Sequence, residues 1–170
     1  DIIPPDVDES ILISDNNPEQ YCSSLAEMKT INICQYYPDA LVIGADTIVV
    51  LEDQILNKPA DRTQAEHMLE MLSGKTHQVY TGVCLRWMEN NIQHAFAEIT
   101  WVTFRKLNKT DILHYIETCP PYDKSGAYGI QGIASRFVTR IEGSYSNVVG
   151  LPLALVDRLL GRLSKGPVPR

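Results

Sequence analysis

An aspartate inside an apolar run is the first feature of this sequence that points to chemistry. Asp46 lies in "GADTIVVL", within an aliphatic and β-branched stretch that begins at Leu41. Burying an unpaired carboxylate is costly, so Asp46 needs a partner. Either it closes the end of a strand by bonding to nearby backbone, or it faces a ligand. The small residues Gly44 and Ala45 favour a ligand, because they leave room beside the backbone.

A second acidic cluster lies near the start of the chain. Asp6, Asp8 and Glu9 fall in "PPDVDES", which reads as a loop after a strand. Carboxylates from two such segments suit Mg²⁺, which prefers oxygen ligands and keeps several waters. One of those waters is a possible nucleophile. The sequence therefore predicts a divalent metal, Mg²⁺ or Mn²⁺, near Asp46.

Three lysines accompany these carboxylates. Lys29 lies on a predicted helix, Lys58 precedes a proline, and Lys124 opens a glycine-rich segment. Each alone is typical of a solvated surface lysine. Beside a metal site, three lysines suit a polyphosphate, for which lysine acts as a point charge.

The glycine-rich segment "SGAYGIQG" has two interpretations. It is a turn-rich connector, or a backbone that closes on a flat ligand while Gln131 offers an amide donor and acceptor to a base edge. The later stretch "GSYSNVVGLP" is interpreted as a helix entry. The histidines show no metal-ligand spacing, so we expect structural or surface roles for them.

Helical and strand patterns indicate the elements that must position these residues. Asn17 is a predicted N-cap, with Tyr21 and Leu25 on the buried face of the helix. A buried strand over "ALVIGADTIVVL" follows, and Asp61 begins a helix that ends near Gly74.

The second half of the chain also contains predicted strands and helices. "THQVYTGVCLRWM" and "AFAEITWVTFRKL" form a predicted hairpin, with Val102 and Phe104 on one face of the second strand. A helix over "KTDILHYIETC", a strand over "SRFVTRIEG" and a helix over about 153–163 complete the pattern. These elements predict an α/β fold with a mixed, twisted sheet.

Bulk properties limit the classes of protein. The 170 residues suit one domain, and the net charge of −6 argues against bulk electrostatic binding to nucleic acid or an anionic membrane. No signal peptide is visible, so a cytoplasmic location is expected. The four cysteines lack metal spacing and are predicted to be reduced structural thiols.

Taken together, six segments resemble the Maf family of nucleoside triphosphate pyrophosphatases. They are "PPDVDE", "GADTIVV", "ILNKP", "MLEMLSGKTHQVYTGV", "YDKSGAYGIQG" and "RIEGSYSNVVGLPL". The resemblance implies an elongated α/β fold around a nucleotide-binding cleft, and often a homodimer. "YGIQG" with "GSYSNVVGLP" resembles the branch that hydrolyses dTTP and UTP to the monophosphate and pyrophosphate.

The resemblance also implies roles for individual residues. Asp46 matches the family's catalytic aspartate, a proton acceptor close to the metal, and Glu9 matches the acidic residue of the first loop. Lys29 and Lys58 match substrate-binding lysines, and Lys124 is expected to assist them. Thr47 and Gln131 match positions tied to substrate choice.

The family pattern normally opens with a strand, a Ser-x-Ser-Pro-Arg-Arg loop and a helix, none of which is in this sequence. We therefore expect one N-terminally truncated domain over 1–163 and a disordered tail over 164–170. The alternative to an enzyme is a non-catalytic nucleotide-binding protein that regulates cell division, since the family is linked to septum formation. A third interpretation is a piece of an active enzyme.

Overall fold

The computed structural model describes residues 1–9 and 17–163. The disordered tail expected over 164–170 lies outside the described residues. The helices and strands, numbered in chain order, are α1 Pro18–Cys34, β1 Val42–Leu51, β2 Gln54–Leu56, α2 Arg62–Leu72, β3 Thr76–Trp87, β4 Ile92–Phe104, α3 Lys109–Thr118, β5 Val138–Glu142, α4 Tyr145–Val149 and α5 Leu153–Leu163.

The five strands form one sheet in the order β2-β1-β3-β4-β5. The predicted α/β class, with a sheet flanked by helices, is confirmed. Among the described residues every neighbouring pair of strands is antiparallel, rather than part of a mixed sheet. Two of the four pairs, β1–β2 and β3–β4, are hairpins, whose tight turns reverse the chain.

The two faces of the sheet pack on different helices. On one face Ile48 and Val50 of β1 meet Cys22 and Leu25 of α1. On the other face Val49 and its neighbours join the larger core formed with α2 and α3. Because successive side chains of a strand point to opposite faces, even-numbered positions of β1 face α1 and odd-numbered positions face away from it.

Two glycines let α1 lie directly on the sheet. A Cβ at Gly82 of β3 would lie 2.2 Å from the carbonyl oxygen of Cys22, and one at Gly44 would lie 2.1 Å from Oγ1 of Thr30. The space beside Gly44 is therefore taken by α1, not by the ligand that the sequence interpretation favoured there. This close packing brings Lys29, one residue before Thr30, onto the same face of β1 as Asp46.

The predicted helix starts are confirmed. The side chain of Asn17 accepts a hydrogen bond from the backbone N–H of Gln20 at 3.2 Å, and Asp61 caps α2 by accepting from Gln64 at 2.8 Å. Val102 and Phe104 are buried, whereas Trp101, on the other face of the strand, is 41% exposed, as the alternation predicted.

The described residues also bear on the state of the cysteines and on membrane crossing. All four cysteines are free thiols, and Cys119 is the exposed one. No helix within 1–9 or 17–163 combines the length and apolarity that crossing a bilayer requires.

Candidate active site

A cavity of about 310 Å³ lies beside the outer edge of β1. β2 covers this edge only at Val49–Leu51, and the cavity lies where that pairing stops. Because Asp46 and Thr47 are consecutive, they reach the cavity from opposite faces of the sheet. The lining includes Ala45, Asp46, Thr47, Lys58, Asp123, Lys124, Ser125, Tyr128, Gln131, Val148 and Val149.

What we call the charged side of the cavity consists of two lining residues, Asp46 and Lys58, and two residues that pair with them, Lys29 and Glu9. The ammonium of Lys29 lies in direct contact with the Asp46 carboxylate and 2.9 Å from Oε1 of Glu9. Lys58 Nζ lies 3.6 Å from the other Glu9 oxygen. Asp46 and Lys29 keep only 11% and 15% of their side-chain surface exposed. One largely buried lysine is therefore shared by two carboxylates.

Burial and pairing act on these groups in opposite directions. Burial raises the pKa of Asp46, and Lys29 offsets only part of that rise. The pKa of Lys29 is raised: burial would lower it, but its bonds to Asp46 and Glu9 outweigh burial. Glu9 is more exposed, and although burial pushes its pKa up, Lys29 and Lys58 bring it below the usual range. Asp46 is thus more basic than an ordinary aspartate, whereas Glu9 is less basic than an ordinary glutamate.

The opposite face of β1 has what we call the neutral side: Thr47, Thr81 and Asn147. Thr47 and Thr81 are cross-strand partners, and their hydroxyl oxygens lie 2.8 Å apart. Thr81 donates to the backbone carbonyl of Asn147 at 2.9 Å. Thr81 and Asn147 are both fully buried. A chain of hydrogen bonds therefore links the cavity to the short helix α4.

The glycine-rich segment forms the next wall of the cavity. Ser125 donates from its hydroxyl to the Thr47 carbonyl at 2.9 Å, which ties this segment to β1. Gly126 has φ of +67°, and a Cβ there would lie 2.9 Å from the side chain of Val49. A glycine is required at this position because the backbone is left-handed and packed against the strand.

Tyr128 anchors the same segment in the core. Its hydroxyl lies 2.7 Å from Nε2 of His77, and both rings pack edge-on against Phe104. Burial lowers the pKa of His77 to about 4, so the imidazole is neutral at physiological pH. This agrees with the structural or surface role predicted for the histidines.

The structure gathers most of the predicted site residues. The same cavity is lined by five of them: Asp46, Thr47, Lys58, Lys124 and Gln131. Lys29 and Glu9 are absent from that lining and lie behind Asp46 as its ion-pair network. Lys124 is paired with Asp123 at 2.8 Å and is 45% exposed.

Sequence reasoning missed part of this site. "GSYSNVVGLP" was interpreted as a simple helix entry, yet Val148 and Val149 line the cavity and Asn147 closes the hydrogen-bond chain. The available signal was a polar residue in an apolar stretch, Asn147 before two valines. Thr81 gave no such signal, because threonine is common in strands.

The carboxylates of the charged side fit a divalent cation. Within the residues described, no group of three or more His, Cys, Asp or Glu side chains converges on one point. Two carboxylates, Glu9 and Asp46, share Lys29 at the cavity. Magnesium is commonly held by one or two carboxylates together with substrate phosphates and waters, so this oxygen pair is a suitable donor set.

The sequence of this chain matches a known family. Residues 1–163 match the sequence pattern described as "Maf-like protein". The chain belongs to the Maf family.

Several curated relatives of this chain have the same printed name. A protein from Koribacter versatilis named "dTTP/UTP pyrophosphatase" is 50% identical over 146 residues, which cover 86% of this chain and 75% of that protein. One of the same name from a Geobacillus species is 48% identical over 162 residues, 95% of this chain and 86% of that protein. A third, from Carboxydothermus hydrogenoformans, is 42% identical over 160 residues, 94% and 85% of the two chains.

Proposed function

We propose that this protein is a nucleoside triphosphate pyrophosphatase that hydrolyses dTTP and UTP to the monophosphate and pyrophosphate. The observation that carries the proposal is the largely buried Asp46, paired with Lys29, at the edge of a cavity also lined by Lys58, Lys124 and Gln131. Family membership and the names of the curated relatives support the same reaction. They favour an enzyme over a non-catalytic nucleotide-binding protein.

Asp46 would act as the proton acceptor for the attacking water. Its carboxylate is buried, and burial raises its pKa, which makes it a better base than a surface aspartate. Water would attack the α-phosphorus, and the bond from that phosphorus to the bridging oxygen of the leaving pyrophosphate would break. The proton taken from water passes to Asp46 and then to solvent.

The lysines would bind the triphosphate. Lys58 and Lys124 both line the cavity and are about half exposed, so their ammonium groups can turn to phosphate oxygens. Lys29 is held between two carboxylates and would orient Asp46 while adding positive charge. Positive charges fixed near the developing negative charge stabilise the transition state.

Glu9 and Asp46 would hold a divalent metal, with Mg²⁺ the first candidate and Mn²⁺ the second. The metal would supply charge neutralisation for the phosphates and lower the pKa of a bound water.

Thr47 and Gln131 would discriminate the base. Both line the cavity, and the Gln131 amide can donate a hydrogen bond to a carbonyl oxygen of a pyrimidine. Gln131→Ala should therefore reduce the preference for dTTP over purine triphosphates by about tenfold, while metal dependence is unchanged. Initial rates with the two nucleotide classes, across a range of metal concentrations, measure both quantities.

The direct test of the proposal is pyrophosphate release from a panel of nucleotides. We expect dTTP and UTP to be turned over faster than ATP, GTP and 7-methyl-GTP. Faster turnover of 7-methyl-GTP would contradict the assignment to pyrimidines. Binding of nucleotides without release of pyrophosphate would support the non-catalytic alternative.

A homodimer and a cytoplasmic location complete the proposal. The resemblance to the Maf family is their main support. Light scattering of the purified protein measures the first, and fractionation of cells that express it measures the second.

A further inference from the structure

The hydrogen-bond chain on the neutral side has a fixed direction. The backbone carbonyl of Asn147 can only accept, so the 2.9 Å contact requires that Thr81 donate its hydroxyl proton to it. A threonine hydroxyl has one proton. Thr81 therefore has none left for Thr47, and the 2.8 Å contact between the two hydroxyls requires that Thr47 be the donor.

The environment of Asn147 keeps this direction from reversing. Its side-chain amide donates to the carbonyl of Val79 at 3.1 Å and to Oγ1 of Thr100 at 3.0 Å. The residue is fully buried, so its backbone carbonyl stays against Thr81. These two bonds from the amide nitrogen hold Asn147 in place, although its side-chain oxygen Oδ1 has no hydrogen-bond partner among the described residues. A reversal at Thr81 would leave the buried backbone carbonyl of Asn147 without its donor as well, which is costly.

This direction determines which hydrogen bonds Thr47, which lines the cavity, can make with a ligand. Its single proton is committed to Thr81, so its oxygen offers only lone pairs to a ligand. A group that binds this oxygen must bring its own proton. Uracil and thymine have an imide N–H on the pairing edge, whereas cytosine has an unprotonated ring nitrogen at the same place. Two acceptors facing each other would leave both unpaired.

We propose that Thr81 fixes the Thr47 hydroxyl as a hydrogen-bond acceptor toward the cavity, and that this acceptor selects uracil and thymine against cytosine. Thr81 is a positioning residue, because it acts on the ligand only through Thr47. The inference rests on the proposed function for the nature of the ligand, and it names the means by which cytosine nucleotides are rejected.

The test compares the binding of UMP and CMP to the full chain by calorimetry, alongside pyrophosphate release from UTP and CTP. The parent should bind UMP about tenfold or more tighter than CMP. In Thr81→Val the Thr47 proton is released and can be donated to cytosine, so the UMP-to-CMP ratio should fall about tenfold. Thr81→Ser retains the hydroxyl and should restore the parent ratio.

Thr100→Val is the matched control. Thr100 is a buried threonine that contacts the same Asn147 side chain but not Thr47. A merely structural role for this network would change the base preference in both valine variants. We expect the ratio to change only in Thr81→Val. If Thr81→Val does not fold, Thr47→Val is the second test, since removal of the acceptor should also bring the ratio toward unity.

The possible outcomes separate the two proposals. A parent-like ratio in Thr81→Val or Thr47→Val, or an equal fall in Thr100→Val, would overturn the inference. A parent that binds neither nucleotide would also overturn it. A ratio that shifts as expected in a protein without pyrophosphate release would support the inference and contradict the pyrophosphatase proposal.

Discussion

β1 brings two consecutive side chains to one cavity, and the protein holds them by different means. On the charged side Asp46 is kept in place by Lys29, which also binds Glu9. On the neutral side Thr47 is kept in place by the buried Thr81 and Asn147. Ion pairs depend mainly on charge and distance, whereas hydroxyl and amide bonds also depend on which atom has the proton.

The two sides of the cavity therefore tolerate different substitutions. On the charged side a neutral isostere keeps the shape but removes the interaction. On the neutral side an apolar isostere keeps the shape but releases a proton and changes what the site accepts. Substitutions on each side can test this contrast.

Asp46→Asn should remove most activity while the fold is retained. The change is nearly isosteric but eliminates the negative charge that accepts a proton and binds a metal, so turnover should fall about 10²–10⁴-fold. Steady-state pyrophosphate release and a thermal melting curve measure the two parts. Asp53→Asn, at an exposed turn between β1 and β2, is the matched control. Turnover of Asp46→Asn within a few-fold of the parent would rule out a catalytic role for this carboxylate.

The buried His77 should make the stability of the protein depend on pH. Burial lowers its pKa from 6.5 to about 4, so between these values the unfolded chain binds a proton that the folded chain does not. Stability due to this group is complete above pH 6.5 and declines as the pH falls toward 4. At about 1.36 kcal/mol per pKa unit, the loss is about 3 kcal/mol.

His77→Gln should remove this dependence. Denaturant unfolding at a series of pH values gives the free energy of unfolding for parent and variant. The parent should lose about 3 kcal/mol more than the variant on going from neutral pH to pH 4. His67→Gln, at an exposed position of α2, controls for the substitution itself. Parallel curves for parent and His77→Gln would contradict the assignment of a buried neutral imidazole.

Gly82→Ala should affect the charged side more than the neutral side. The new Cβ would lie 2.2 Å from the carbonyl oxygen of Cys22, so α1 must move away from the sheet and Lys29 with it. Overpacking of this kind costs about 1–3 kcal/mol of stability. Turnover should fall, while the preference for UTP over CTP should remain.

Gly161→Ala is the matched control, because a Cβ added there would meet no atom of the described residues within 4 Å outside its own helix backbone. Melting curves and nucleotide preference should be recorded for both glycine variants. A change of base preference in Gly82→Ala would show that the two sides of the cavity are not independent.

The charged side was the easier half to predict from sequence. A carboxylate in the apolar run around Asp46 is conspicuous, because an unpaired charge there would be costly. That Lys29 is its partner follows only from the packing of α1 on Gly44 and Gly82, which no local pattern contains. The helix starts at Asn17 and Asp61 were predictable because caps act over three or four residues.

On the neutral side the sequence pointed to Thr47 but not to its partners, for a physical reason. Thr81 and Asn147 are distant in sequence, a threonine in a strand is ordinary on its own, and the one local signal, Asn147 before two valines, does not name a partner. Their contact depends on where the loop before α4 crosses the sheet. The direction of the protons depends in turn on which oxygen is a carbonyl, and this information exists only in the folded chain.

One peptide unit joins Asp46 to Thr47, and this has a consequence for how the sequence can diverge. The pairing places Asp46 opposite Gly82 and Thr47 opposite Thr81. Sliding β1 by one residue would exchange its faces, turning the carboxylate toward Asn147 and the hydroxyl toward Lys29. Insertions and deletions in this strand are therefore incompatible with activity. A change of substrate is therefore expected from replacements around the cavity, among them Gln131 and the neighbours of Thr47, while the strand stays in place.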